Sequence, residues 1–203
     1  MVQVVGNGPR QEKLFPIGLE VGTPLSSTIQ IDAAQRIIWQ RLTEPGYLKC
    51  CHPFCESNEV EQWPGEGSRD KITYYSGREY HRHFVEWFDG VGYDIELGER
   101  PNQTSRVQWR ISPLSETICR FAIEVIPYLK KDLTKEQKRQ YQARLFGPDL
   151  QHYLDCVVKG VEFWIRTGRV VEKDQFGRNR LYSGCSIPYR RIASIDDSNC
   201  PNP

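Results

Sequence analysis

The stretch Gln151 to Thr167, QHYLDCVVKGVEFWIRT, decides how this chain folds. Starting from the preceding Leu150, the residues Leu154, Val157, Val161 and Trp164 recur at spacings of four and three, which places all five on one stripe of a helix. Tyr153, Cys156, Gly160 and Phe163 form a second apolar or small stripe beside the first. A face that wide suits a helix lying across a sheet better than one in the narrow seam of a coiled coil.

The residues before it supply the sheet. Strand-like segments run over 55–63, 69–76, 79–88, 92–98, 104–113 and 116–128, separated by Pro64-Gly65-Glu66-Gly67, Ser76-Gly77, Asp89-Gly90 and Pro101-Asn102. Connections this short require antiparallel neighbours. In the later strands Tyr93, Ile95, Leu97, Val107, Trp109, Ile111, Phe121, Ile123 and Val125 alternate with Asp94, Glu96, Arg106, Gln108, Arg110, Arg120 and Glu124, so one face is apolar and the other is expected to be solvated. The alternation is less clean over 79–87, where the expectation is that His81, His83, Val85 and Trp87 face inward.

Ahead of these strands, Pro24 to Ile31 reads as a further strand, and Asp32 stands where a helix N-cap belongs, so a helix is expected from Ala33 until Pro45-Gly46. Tyr47 to Phe54 adds one more turn before Pro53. Residues 1–23 read as a loosely held arm. Residues 169–203 read as an irregular tail, laid against the domain through Phe176 and Tyr182. Lys130 to Arg144 is helix-prone but poor in apolar anchors, a solvated segment in the position of a lid.

At 203 residues the chain fits one domain, spanning 24–168 with two tails. Its 27 basic and 26 acidic residues nearly cancel, so no overall field draws it to nucleic acid or to an anionic membrane. No run of apolar residues has membrane-spanning length and the first residues lack a signal-peptide core, which leads to the expectation of a cytoplasmic protein without membrane insertion. Seven cysteines, an odd number in a chain large enough to need no staples, suit reduced thiols.

A strand, two short helices, an antiparallel meander of six to seven strands in all and a long closing helix resemble the helix-grip α+β fold of the START-like superfamily, also called SRPBCC, which includes Bet v 1-like proteins and polyketide cyclases. HPFC at 52–55, WPGEGSRD at 63–70, YYSGREYHRHF at 74–84, GVGYDIELG at 90–98, VVKGVEFWI at 157–165 and DQFG at 174–177 are similar to a bacterial branch of that superfamily. The resemblance implies a curved sheet gripping the last helix, with a cavity for an apolar ligand between them. It supplies no catalytic residue, and the superfamily's transporters, sensors and enzymes share one scaffold.

Candidate site residues follow. Tyr74, Trp87, Tyr93, Trp109, Phe121, Phe163 and Trp164 line an apolar pocket if the helix stands off the sheet, and build an ordinary packed core if it does not. His83 and Arg82 are expected to orient a ligand alongside Tyr74. His81 and His83, two apart on a strand, are the candidate acid–base pair of a cyclase-like or dehydrase-like enzyme; the plainer reading is a strand that is half polar. Cys50, Cys51, His52 and Cys55 lack the spacing of a zinc site, so no metal is expected, and His52 more simply fixes a turn. Gly65-Glu66-Gly67 and Gly90-Val91-Gly92 precede strands rather than helices, which excludes a phosphate cradle. No cofactor is implied. The leading expectation is a binder of a small, mostly apolar, lipid-like or polyketide-like molecule; the alternatives are an enzyme using the same cavity and a protein-interaction module that uses the basic helix and the tails.

Overall fold

A computed structural model describes residues 18–99, 101–145 and 147–184. Its elements are β1 (Leu19–Val21), β2 (Leu25–Ile31), α1 (Gln35–Leu42), α2 (Leu48–Cys51), β3 (Cys55–Gln62), β4 (Arg69–Tyr74), β5 (Glu79–Phe88), β6 (Gly92–Leu97), β7 (Ser105–Pro113), β8 (Cys119–Lys130), α3 (Lys135–Leu145) and α4 (Pro148–Thr167). All pairings are antiparallel. β1 and β2 lie beside β8, followed by β7, β6, β5, β4 and β3 at the far edge. This is the expected helix-grip order.

The long strand β8 holds the N-terminal strands in sequence. Its first part pairs with β2 and its last residues with β1, so β1 and β2 act as one strand interrupted at Gly22 to Pro24. Leu19–Val21, expected in a loose arm, is thus part of the sheet; residues 1–17 of that arm lie outside the described residues.

α4 is the helix the sequence announces. Pro148 opens it, Gly168 closes it in the left-handed conformation, and Leu150, Leu154, Val157, Val161 and Trp164 are all buried. Gly160 marks its closest approach to another element, since a Cβ there would lie 2.1 Å from the Cys51 carbonyl oxygen of α2. α1 starts two residues later than expected, at Gln35, with Ala34 at the cap and no side-chain cap bond. Asp32 instead accepts a hydrogen bond from Gln30. α3 is opened by a reciprocal pair: Thr134 Oγ1 accepts from the Gln137 amide and Gln137 Oε1 from the Thr134 amide.

The facing of β5 differs from the expectation. Tyr80, Arg82 and Phe84 point inward, and His81 and His83 point outward. The cause is register: Asp70 and Ile72 of β4 are buried and stand opposite Arg82 and Tyr80. A bulge at Val85 then shifts parity, with Phe84 opposite Ile95 but Glu86 opposite Asp94, and this brings Trp87 back to the inner side against Tyr93. Inward facing therefore holds for Trp87 and fails for His81 and His83.

The outer face is polar as expected but is not solvated at its centre. Asp94, Glu96 and Arg106 are 3%, 3% and 5% exposed. Asp94 takes Arg106, Gln108 and Arg110 of the adjacent β7, so long side chains cover the charges they neutralise.

Two substitutions test the grip. Trp164→Ala should lower stability by about 3–5 kcal/mol, as truncation of a buried aromatic does. Gly160→Ala should destabilise by about 1–3 kcal/mol despite the better helix propensity of alanine, because the added methyl meets backbone that cannot step aside. Urea unfolding followed by tryptophan fluorescence measures both.

Candidate functional site

Sheet and α4 part from each other along only half of the helix. A cavity of about 340 Å³ lies between them, and from α4 it is lined by Leu150, Tyr153, Leu154 and Val157. Val161 and Trp164, one to two turns further on, are buried without bordering it. There the space is filled by aromatic rings: Trp39 packs on Trp87 and Tyr93, and Trp109 packs on Tyr93, Phe121 and Tyr47.

The aliphatic walls come from the alternation of the strands. Ile72, Ile95, Leu97, Val107, Ile123 and Val125 face the helix, with Trp109 at the closed end. A cluster of hydrogen-bonded polar groups forms around α2, β4 and β5, while Thr104, Ser105 and Tyr141 add polar atoms elsewhere in the lining. Arg82 lies directly opposite Asp70, its Nε 2.6 Å from Oδ1 and its Nη2 2.7 Å from Oδ2, in a buried bidentate pair. The guanidinium also lies over the Tyr47 and Phe84 rings. Burial works against its charge, but the Asp70 carboxylate outweighs that and holds the proton on.

Beside this pair runs a chain of neutral groups. The Phe54 amide donates to His52 Nδ1 at 3.2 Å, so the neutral ring carries its proton on Nε2 and donates to the Tyr153 hydroxyl at 2.9 Å. Tyr153 lies 2.9 Å from the Tyr74 hydroxyl. Burial, reinforced by the Arg82 charge, pushes His52 down to about 3. Burial also raises the Tyr74, Tyr153 and Tyr182 phenols. A second phenol pair, Tyr47 and Tyr93, sits 2.6 Å apart in the core behind Arg82.

The segment after α4 completes the wall. It has no helix or strand over 169–184, yet Arg180, Leu181 and Tyr182 line the cavity, and Tyr182 packs on Tyr74 and Tyr153. The segment is fastened by Asn179 Nδ2 on the Asp149 carbonyl, Arg180 on the Asp149 carboxylate, Ser183 on Asp174, and the Ser76 amide on the Tyr182 carbonyl. Phe176 meets Phe163 on the outer side of α4. Residues 185–203 of the expected tail lie outside the described residues. Arg78, Tyr141, Arg180 and Tyr182 are among the lining residues that keep solvent exposure, and they lie at the mouth.

Of the residues singled out from sequence, Tyr74, Trp109 and Arg82 border the cavity. Trp87, Tyr93, Phe121 and Trp164 belong to the packed half of the core, and Phe163 faces the post-helix segment. His81 and His83 sit on the outer face, each 3.4 Å from Glu99 Oε1. Sequence reasoning missed Tyr80, Tyr153 and Tyr182 as wall residues. It gave His52 a turn, which the Phe54 amide bond supplies, but not its place in the cavity. The signal for Tyr153 was present, since it lies on the helix stripe beside Leu150 and Leu154. Cys50, Cys51, Cys55, Cys119 and Cys156 are free thiols, and Cys185 and Cys200 lie outside the described residues. Among the described residues, no group of three or more His, Cys, Asp or Glu is placed to hold a metal ion, and no helix is long and apolar enough to cross a membrane.

No protein-family model and no curated protein matches the chain in sequence. Solved structures do match in shape. Norcoclaurine synthase from Thalictrum flavum, in complex with dopamine and hydroxybenzaldehyde, is similar with a TM-score of 0.56 at 12% identity, over 82% of this chain and 96% of that one. A START superfamily protein from Mycobacterium smegmatis is similar with a TM-score of 0.52 at 11% identity, over 71% of this chain and 98% of that one. The di-domain ARO/CYC protein BexL from the BE-7585A biosynthetic pathway is similar with a TM-score of 0.56 at 11% identity, over 70% of this chain and 47% of that one. With the sheet order and the gripped helix, these likenesses establish that the chain has the helix-grip fold that these proteins share.

Proposed function

We propose that the protein binds one small, mostly apolar molecule in the cavity between the sheet and α4, oriented by hydrogen bonds at the Arg82, Tyr74 and Tyr153 side. The observation that carries this reading is the division of the interior. One half is filled with packed aromatic rings, and the other is a space of about 340 Å³ with largely aliphatic walls and a cluster of polar side chains at Arg82, Tyr74 and Tyr153. Few convergent polar groups in an apolar concavity are the usual make-up of a small-molecule site. The bound dopamine and hydroxybenzaldehyde of the norcoclaurine synthase structure support it as a use of the same fold.

The titratable groups favour binding over proton transfer. His81 and His83, the candidates for acid–base work, lie on the other face of the sheet. His52, which does reach the cavity, is held neutral by burial down to about pH 3, and the phenols are pushed above their ordinary range. A general acid or base at neutral pH works best with a pKa near that pH.

Native mass spectrometry of freshly purified protein should reveal a co-purified small molecule, and titration with the neutral dye Nile red should give saturable 1:1 fluorescence. Val125→Trp combined with Val157→Phe, which fills the cavity from both sides, should remove most of the dye signal. A dye response unchanged in the filled variant would place binding elsewhere.

The state of His52 has its own signature. Below its unfolded pKa of 6.5 the unfolded chain takes up a proton that the folded site refuses until about pH 3. Stability from this residue is therefore fully present above pH 6.5 and declines as the pH falls through that window, by about 1.4 kcal/mol per pH unit. His52→Gln should flatten the dependence by about that slope when both proteins are unfolded in urea between about pH 6 and about pH 4.

A further inference from the structure

On the reading that a small molecule occupies the cavity, its polar group meets charge of one sign. Among the described residues the lining contains three arginines, Arg78, Arg82 and Arg180, and no aspartate or glutamate. Two of the three are answered by carboxylates, Arg82 by the buried Asp70 and Arg180 by Asp149 at 2.7 Å in an exposed pair. Arg78 has no carboxylate within ion-pair distance among the described residues. It is half-buried at the mouth, where β5 begins, and its backbone carbonyl is fixed by the Tyr74 amide. Its charge acts on the Tyr182 hydroxyl, favouring the phenolate against the effect of burial.

A guanidinium drawn partly out of water without a counter-ion is costly, and it attracts an anion more strongly there than on open surface. The planar fork of arginine matches a carboxylate with two parallel hydrogen bonds. The Tyr182 hydroxyl, hydrogen-bonded to Tyr80, lies within reach of the Arg78 charge and lines the same cavity, so a ligand group at the mouth competes for it as a neutral polar partner. The walls beyond are aliphatic, so the rest of the ligand is apolar.

We propose that the ligand is an amphipathic carboxylic acid, bound as its carboxylate at the mouth by Arg78 with the Tyr182 hydroxyl, its apolar body lying between the sheet and α4. Among the described residues, one positive charge without a carboxylate partner at the rim and an acid-free lining select a single negative group. They also disfavour an amine.

Displacement of Nile red by decanoate and by decanol at pH 7.5 tests this. The two share chain length and differ in the head group. In the wild-type protein decanoate should displace the dye at about 10-fold lower concentration than decanol, the range of one charge-assisted hydrogen-bonded contact. Arg78→Gln should abolish that preference by weakening decanoate alone, and Arg78→Lys should restore part of it. Equal displacement by the two compounds in the wild type, or an acid preference that survives Arg78→Gln, overturns this proposal and leaves the binding function standing. A wild-type protein that takes up neither the dye nor either decyl compound overturns both.

Discussion

The buried pair between Asp70 and Arg82 is the constraint from which the site follows. The two residues stand directly opposite on adjacent strands, with two short hydrogen bonds between them and almost no exposure. Neither charge tolerates that position alone, because an uncompensated buried ion costs several kcal/mol. Their mutual requirement pins β4 to β5 in one register. Since side chains alternate, that register sends Tyr80 inward with Arg82 and sends His81 and His83 out. The polar side of the cavity and the histidine-bearing outer face are two results of one pairing.

A similar economy governs the rest of the sheet. On the outer face, Asp94 is enclosed by Arg106, Gln108 and Arg110, so the centre of a nominally wet surface is closed by its own ion pairs. On the inner face the bulge at Val85 returns Trp87 to the core, where it joins Trp39, Trp63 and Tyr93. The aromatic half thereby packs to solidity and braces the C-terminal half of α4. The N-terminal half, with smaller aliphatic partners, stands away from the strands.

Much of this was legible in the sequence, and what was not has identifiable causes. The stripe Leu150 to Trp164 was plain because helical periodicity is a local property. The strands from β6 to β8 were equally plain, with one apolar and one charged parity each. β5 was ambiguous because both of its parities mix rings with polar groups, and a bulge changes parity partway along with no glycine to mark it. The charge that settles its facing belongs to another strand, and no window on β5 alone contains Asp70. Asp94, Glu96 and Arg106 were assigned correctly to the outer face, but alternation says nothing of how completely neighbours cover one another. The segment 169–184 is aperiodic and polar, and its ordering depends on single side chains: Ser183 ties it to itself through Asn179 and Asp174, and Asn179 ties it to Asp149 at the start of α4.

The pairing of β2 with β8 has a consequence for how the chain acquires its shape. Leu25 lies opposite Val125, and β3 to β7 are synthesised between them. Closing so long a loop is entropically slow, and topologies dominated by such contacts fold orders of magnitude more slowly than local ones. β2 must therefore wait, unpaired, while the hairpins from β3 to β8 assemble from near neighbours. The apolar face of α4, last to emerge among the regular elements, has no complete surface to cover it until that edge is sealed. The same strand that completes the grip sets the time at which gripping begins.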